Sequence, residues 1–291
     1  MELPDYNSPS ALKEFLALCG MSMQKKFGQN FLINESARRR LIAALDVREG
    51  TAVWEIGPGL GAMTAGILAA GAVVTAFEID RGFSQLLERF FYTAQQQNRF
   101  FLIEGNVLKT WKEQYAVCGM PDRLFGNLPY NIAAAIIADT IEAQVRFDRA
   151  VFTVQKEVAQ RMTAKPGSAD YSSFSVLCQW AYDIAPLLDL GGGNFWPRPN
   201  VDSRAVVMTP NNTFPACMEP AHFMRMIRAL FSSRRKTIKN NMMQFLHSDA
   251  ETACCVLEQA RIDPAARAET LAVGELLRLS DYCCSMRNMI Q

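Results

Sequence analysis

The chain has 291 residues, 49% of them hydrophobic and 20% charged, with a formal net charge of +1. That composition excludes a disordered chain. No window holds the roughly 18 uncharged apolar residues of a membrane span, and the first residues lack a basic stretch followed by an apolar one, so a cytoplasmic protein is expected.

Leu12, Phe15, Leu16 and Leu18 fall at helical spacing, so a short amphipathic helix is expected within residues 3–20, its role not readable. A basic region follows, with Lys25, Lys26, Arg38, Arg39 and Arg40 relieved only by Glu35. Residues 51–56 form a short apolar strand that runs into Glu55-Ile56-Gly57-Pro58-Gly59-Leu60-Gly61, and a helix is expected over about 60–70. Strands are then expected at 73–77, 100–103, 123–125 and 151–154, and helices at 83–94, 132–141 and 157–164. This alternation is that of a parallel sheet with right-handed crossovers, and the unusual loops follow strand C-termini, where open α/β sheets bind ligands. A helix at 173–182 and strands at 185–190 and 205–208 complete a first domain, residues 1–210. Beyond Thr209-Pro210-Asn211-Asn212 the pattern changes to four helices, near 222–231, 238–246, 251–259 and 271–279, so residues 211–291 read as a small helical domain.

The eight cysteines include the adjacent pairs Cys254/Cys255 and Cys283/Cys284 and follow neither a zinc spacing nor a small disulfide framework. With two histidines in the chain, reduced thiols and no metal are expected.

Gly57, Gly59 and Gly61 permit a tight turn and close backbone approach, and Glu78 lies 21 residues after Gly57, where an acid can accept from both ribose hydroxyls of an adenosine cofactor. Dinucleotide enzymes carry similar glycines. Glu55 ahead of the first glycine, and Pro58, which has no amide to offer a pyrophosphate, favour S-adenosylmethionine instead. Asn106 can meet the adenine edge of the donor. Gln29, Asn30 and Leu32 are placed to close over its methionine or sugar.

At the end of the run from Leu124 stands Asn127-Leu128-Pro129-Tyr130. A nucleobase amine is a poor nucleophile because its lone pair is delocalised into the ring. An enzyme that alkylates it needs hydrogen-bond acceptors beside the nitrogen and a ring to hold the base, which Asn127, the Pro129 carbonyl and Tyr130 supply. An Asx turn and ordinary core aromatics are the plain alternative. Between 225 and 239 there are six basic residues and no acid: Arg225, Arg228, Arg234, Arg235, Lys236 and Lys239. These, with Lys25, Lys26, Arg38 and Arg39, read either as phosphate-binding patches or as solvated helix surface.

The segments 25–32, 55–59, 127–132, 155–159 and 195–203, continued by Arg234-Arg235-Lys236-Thr237 and Arg267-Ala268-Glu269-Thr270-Leu271, resemble the KsgA-type small-subunit ribosomal RNA adenine dimethyltransferases over residues 24–279. The resemblance implies a parallel-sheet S-adenosylmethionine-dependent methyltransferase domain with a small C-terminal helical domain. It implies transfer of methyl groups to N6 of two adjacent adenines in the 3'-terminal hairpin of 16S rRNA, giving N6,N6-dimethyladenosines in an assembling ribosomal particle. Phe195 becomes by resemblance a second aromatic near the flipped base. A monomer is expected. The sequence departs from the pattern at Asn106, where the family usually has Asp, at the bulky Trp196, and beyond residue 279. Three rival readings share some of these residues: a large-subunit rRNA adenine methyltransferase, an idle RNA-binding assembly factor, and a dinucleotide oxidoreductase.

Overall fold

The apolar runs bounded by glycine or polar turns become strands; those at 52–56, 73–78, 123–127 and 149–155 are mostly buried, whereas the run at 100–104 forms an edge strand that is only partly buried. In the computed structural model, which describes residues 2–21, 23, 29–128, 132–214 and 217–290 (287–290 by backbone alone), the chain begins with α1 (Pro9–Leu18), β1 (Phe31–Leu32), α2 (Glu35–Leu45) and β2 (Ala52–Ile56). There follow α3 (Ala62–Ala69), β3 (Val73–Glu78), α4 (Arg81–Phe90), α5 (Tyr92–Gln96), β4 (Phe100–Glu104) and α6 (Val107–Cys118). Next come β5 (Arg123–Asn127), α7 (Ala133–Glu142), β6 (Arg149–Gln155), α8 (Lys156–Met162) and α9 (Ser173–Ala181). The chain continues with β7 (Tyr182–Leu190), β8 (Phe195–Trp196), β9 (Ser203–Pro210), α10 (Pro220–Phe231), α11 (Ile238–Leu246), α12 (Ala250–Gln259) and α13 (Val273–Ile290).

The main sheet has seven strands in the order β4-β3-β2-β5-β6-β9-β7. β2 to β6 are parallel, as the alternation suggested, and β9 runs antiparallel to β6, so the sheet as a whole is mixed. A separate two-stranded ladder pairs Phe31 with Trp196 and Leu32 with Phe195. The core on one side of the sheet centres on Leu41, Leu45, Val53, Ile67, Val74, Ala76 and Phe100, all buried.

Two helices emerge that no run of apolar residues announced. In α2 the triplet Arg38-Arg39-Arg40 obscures the apolar positions Ala37, Leu41 and Leu45, spaced by four and all buried. Asn34 caps this helix by accepting from the Ala37 amide at 2.9 Å. α6 is capped by Asn106 and buries only Val107 and Trp111, too few for a period to be visible.

The chain forms two units. One comprises Met1–Asp139, Val145–Ala159 and Ile184–Pro210, and the other Thr140–Gln144, Gln160–Asp183 and Asn211–Gln291. A single cut after residue 210 therefore differs from the observed division, because α9 and its flanks group with the C-terminal helices. In that unit Trp180 meets Phe223 edge-on at 5.2 Å and Tyr171 donates to the Leu271 carbonyl at 2.9 Å, so α9 supplies part of its core. Among the described residues no helix is long and apolar enough to cross a membrane.

Candidate active site

The parallel register brings the C-terminal ends of four strands to one edge of the sheet, with Ile56 opposite Phe77 and Gly126, and Glu78 opposite Glu104. The loops leaving these ends surround a cavity of about 310 Å³. Of the residues singled out by sequence, Gln29, Asn30, Leu32, Gly57, Gly59, Glu78, Asn106, Asn127 and Phe195 line it. Pro129 and Tyr130 lie outside the described residues.

Glu78 ends β3 and is buried, 4% exposed as a residue. Oε2 accepts from the Gly59 amide at 3.0 Å, and Oε1 accepts from the Ile79 and Asp80 amides at 2.9 Å each. Three of its roughly four acceptor positions are thus filled by backbone, so Glu78 braces the glycine turn and keeps about one position, on Oε2, for a ligand hydroxyl. Burial raises its pKa while those amides lower it.

Gly59 holds φ at +57°, and a Cβ there would stand 2.9 Å from the Phe31 ring. Gly61 has a different task. It does not line the cavity; it caps α3 at φ +82°, where a Cβ would meet the Phe91 ring at 2.7 Å, so its reading as a donor contact is replaced by helix-entry packing.

Asn106 uses its Oδ1 to cap α6, accepting from the Leu108 amide at 3.0 Å. Its Nδ2 hydrogens remain for a ligand, which makes it a donor at the cavity rather than a group offering both functions. Asn127, at the end of β5, donates from Nδ2 to the Asn30 carbonyl at 3.0 Å. That bond fixes the amide and leaves Oδ1 as its acceptor. Gln29 donates to Asp80 Oδ2 at 3.1 Å, tying the segment before β1 to the cap of α4. Phe195 is 4% exposed and packed with Leu32 in the core, a wall rather than an open platform, and Trp196 stacks beside Phe31 at 6.2 Å between centroids.

Tyr6 and Leu12 are among the lining residues that the sequence did not mark as site residues, and Glu55 takes on a larger part than the glycine pattern implied. Glu55 is 1% exposed and accepts from the Thr64 hydroxyl at 2.7 Å. Burial pushes its carboxyl up to about 8, against the Thr64 bond and with help from the like charge of Glu78. Among the described lining residues there are two acids, Glu55 and Glu78, and no Lys or Arg. The described lining offers a pyrophosphate no cation and, with Glu55 held largely neutral below about pH 8, presents buried carboxyl oxygens instead, so the residues fit a donor with an adenosine end such as S-adenosylmethionine.

The basic residues divide sharply. Arg38 is 8% exposed; it donates to the Leu32 carbonyl at 2.7 Å and to Asn7 Oδ1 at 2.6 Å, so it is an internal tether and not a phosphate contact. Arg39 is exposed and paired with Glu35 one helical turn away at 2.5 Å. In the helical unit Arg225 pairs with Glu219 at 3.4 Å and Arg228 with Glu142. Arg234 is held by Glu269 at 2.6 Å and by the Ala169 carbonyl at 3.0 Å. Arg235 and Lys236 are exposed with no acid partner among the described residues. Lys25 and Lys26 lie outside the described residues.

The sequence matches the family described as ribosomal RNA adenine dimethylase over residues 20–284. The chain belongs to that family. The enzyme is 48% identical to ribosomal RNA small subunit methyltransferase A of Treponema denticola, over 96% of this chain and 95% of the relative. It is 39% identical to the protein of that name from Borreliella burgdorferi, over 95% and 94% of the two chains. A dimethyladenosine transferase structure from Plasmodium falciparum has the same fold, with TM-score 0.70 and 23% identity over 84% of this chain and 94% of that one. The enzyme is therefore an S-adenosylmethionine-dependent rRNA adenine dimethyltransferase.

The raised Glu55 carboxyl gives the enzyme a testable pH dependence. An unfolded Glu titrates near about 4.3, so the folded state begins to lose stability above that value, and the loss grows until pH passes the folded value of about 8. Glu55→Gln keeps an acceptor for Thr64 but cannot ionise. Its melting temperature is expected to match or exceed that of the wild type by a margin that widens from pH 5 to pH 9. A margin independent of pH would show that Glu55 ionises freely in the fold.

Proposed function

We propose that the enzyme transfers methyl groups from S-adenosylmethionine to N6 of two adjacent adenines in the 3'-terminal hairpin of 16S rRNA, giving N6,N6-dimethyladenosines in an assembling small subunit. The observation that carries this reading is a cavity with no Lys or Arg among its described lining residues and with the Asn127 amide anchored at its edge. The identity to small-subunit relatives along almost the whole chain favours the 16S target over a large-subunit one. Action in the cytoplasm, as a monomer, belongs to the same proposal.

When bound, the donor supplies an electrophilic methyl group on a positively charged sulfur. Asn127 Oδ1 accepts from the adenine N6 amino group, and its bond to Asn30 keeps that oxygen from rotating away. The Pro129 carbonyl is assigned the second acceptor and Tyr130 the stacking ring, both on the sequence pattern. Positive charge develops on N6 as the new bond forms, so fixed acceptors stabilise the transition state more than the ground state. The amine loses its proton afterwards, and no strong base is required. Phe195 closes the wall of the cavity. Glu78 and Asn106 hold the adenosine end, the first with its remaining acceptor position and the second with its amide hydrogens.

The test incubates the protein with labelled S-adenosylmethionine and small subunits lacking the modification, then maps the labelled nucleotides. Label on two adjacent adenines near the 3' end is expected; label only on large-subunit RNA or on protein overturns the reading.

The RNA path is proposed to use Arg235 and Lys236 with Lys25 and Lys26. Replacing Arg235 and Lys236 together with Gln removes two charges that no acid among the described residues neutralises and leaves the Arg234 brace in place. The slope of log association constant against log salt is expected to become shallower by about 1.4 to 1.8, from roughly 0.7 to 0.9 per phosphate. An unchanged slope in a folded double variant assigns both residues to solvated surface.

A further inference from the structure

Residues 2–19 precede the stretch that matches the family, yet part of this segment is built into the cavity wall. Ser8 caps α1 through the Ala11 amide, and Pro9 sits at its first turn, so the helix starts at a defined point after Tyr6 and Asn7. Leu12 and Leu16 are 0% and 3% exposed and pack against Leu60, Phe83 and Leu86. The Tyr6 hydroxyl donates to the Leu60 carbonyl at 2.8 Å, inside the glycine turn. Arg38 completes the attachment: its guanidinium lies 5.9 Å from the centre of the Tyr6 ring and binds Asn7 Oδ1 and the Leu32 carbonyl at once. A buried guanidinium needs acceptors, and here one of them belongs to the N-terminal segment and another to a cavity-lining residue.

We propose that residues 5–18 are a working part of the donor site, with Leu12 as wall, Tyr6 as the positioning residue for the glycine turn, and Arg38 as the tether that holds the segment in place. The proposal rests on reading the cavity as the donor site. It makes the segment a determinant of donor affinity and gives it no part in the methyl-transfer step. Both Tyr6 and Arg38 act through neighbours: Tyr6 through Leu60, Arg38 through Asn7 and Leu32.

The experiment uses the full chain with Tyr6→Phe, which keeps the ring and deletes the bond to Leu60, and separately Arg38→Met, which keeps the stem and deletes the tether. Each variant is checked for folding by thermal unfolding. S-adenosylmethionine and S-adenosylhomocysteine are then titrated, and KM for the donor and kcat are measured on small subunits lacking the modification. Dissociation constants for both ligands are expected to rise about threefold to tenfold in each variant, as for loss of one net hydrogen bond, with KM following and kcat at saturating donor changing by less than about twofold. Wild-type affinity in both folded variants, or a fall in kcat with affinity unchanged, overturns the proposal. Gly59→Val, measured alongside, separates the two levels. If it too binds donor normally, the cavity reading fails; if it alone loses donor, only the role of the N-terminal segment fails.

Discussion

Asn127→Ala is expected to lower single-turnover methylation on the order of a hundredfold to a thousandfold while donor affinity and association with the small subunit stay near wild type. The size follows from removing one fixed group that stabilises charge developing in the transition state, which in other enzymes costs about that much. The structure refines the comparison. Because Nδ2 is spent on the Asn30 carbonyl at 3.0 Å, the substitution also removes one tie to the segment before β1, which Gln29 still holds to Asp80. Asn127→Asp keeps an acceptor but loses that anchor, so its rate should fall between wild type and the Ala variant. Rapid-quench methylation of unmodified small subunits, with donor titration alongside, reads both. A near wild-type rate for Asn127→Ala would reduce the residue to a loop anchor.

Gly59→Val is expected to weaken donor binding by about a hundredfold or more. A β-branched residue at φ +57° is strained by about 1 to 3 kcal/mol. Its Cβ would enter the Phe31 ring at 2.9 Å, and any shift of the turn that relieves the clash stretches the Gly59 amide away from Glu78, a charge-assisted bond of about 1.5 to 3 kcal/mol. Together these give about 2.5 to 6 kcal/mol, and 1.4 kcal/mol is a factor of ten. Calorimetric titration of the donor measures it, and Gly59→Ala, with a Cβ but no branch, should lie between. Unchanged affinity in a folded Gly59→Val protein would take the turn out of the ligand's path.

Glu78 shows how far a motif can be read before its surroundings are known. Its distance from the glycines marked it as an acceptor for hydroxyl groups, and it does line the cavity, but its oxygens are largely occupied by the amides of Gly59, Ile79 and Asp80. Arg38 shows the opposite. One of three adjacent arginines, it reads as surface charge, and only the packing of α2 turns it inward to Leu32 and Asn7.

The sequence by itself determined the alternation of strand and helix, the loops at the strand ends that carry Gly57, Gly59, Glu78, Asn106 and Asn127, and the family to which they belong. Those signals are local: glycine spacing, short apolar runs and a polar residue at a strand end are properties of a few neighbouring residues. Tertiary structure alone decided the antiparallel entry of β9, the grouping of α9 with the C-terminal helices, the burial of Arg38 and the neutralisation of Arg225, Arg228 and Arg234. It also decided that Tyr6 reaches Leu60, 54 residues away, to join the cavity wall. Each of these depends on which distant acceptor or apolar face a side chain meets once the chain is folded, and spacing along the chain carries no record of that meeting.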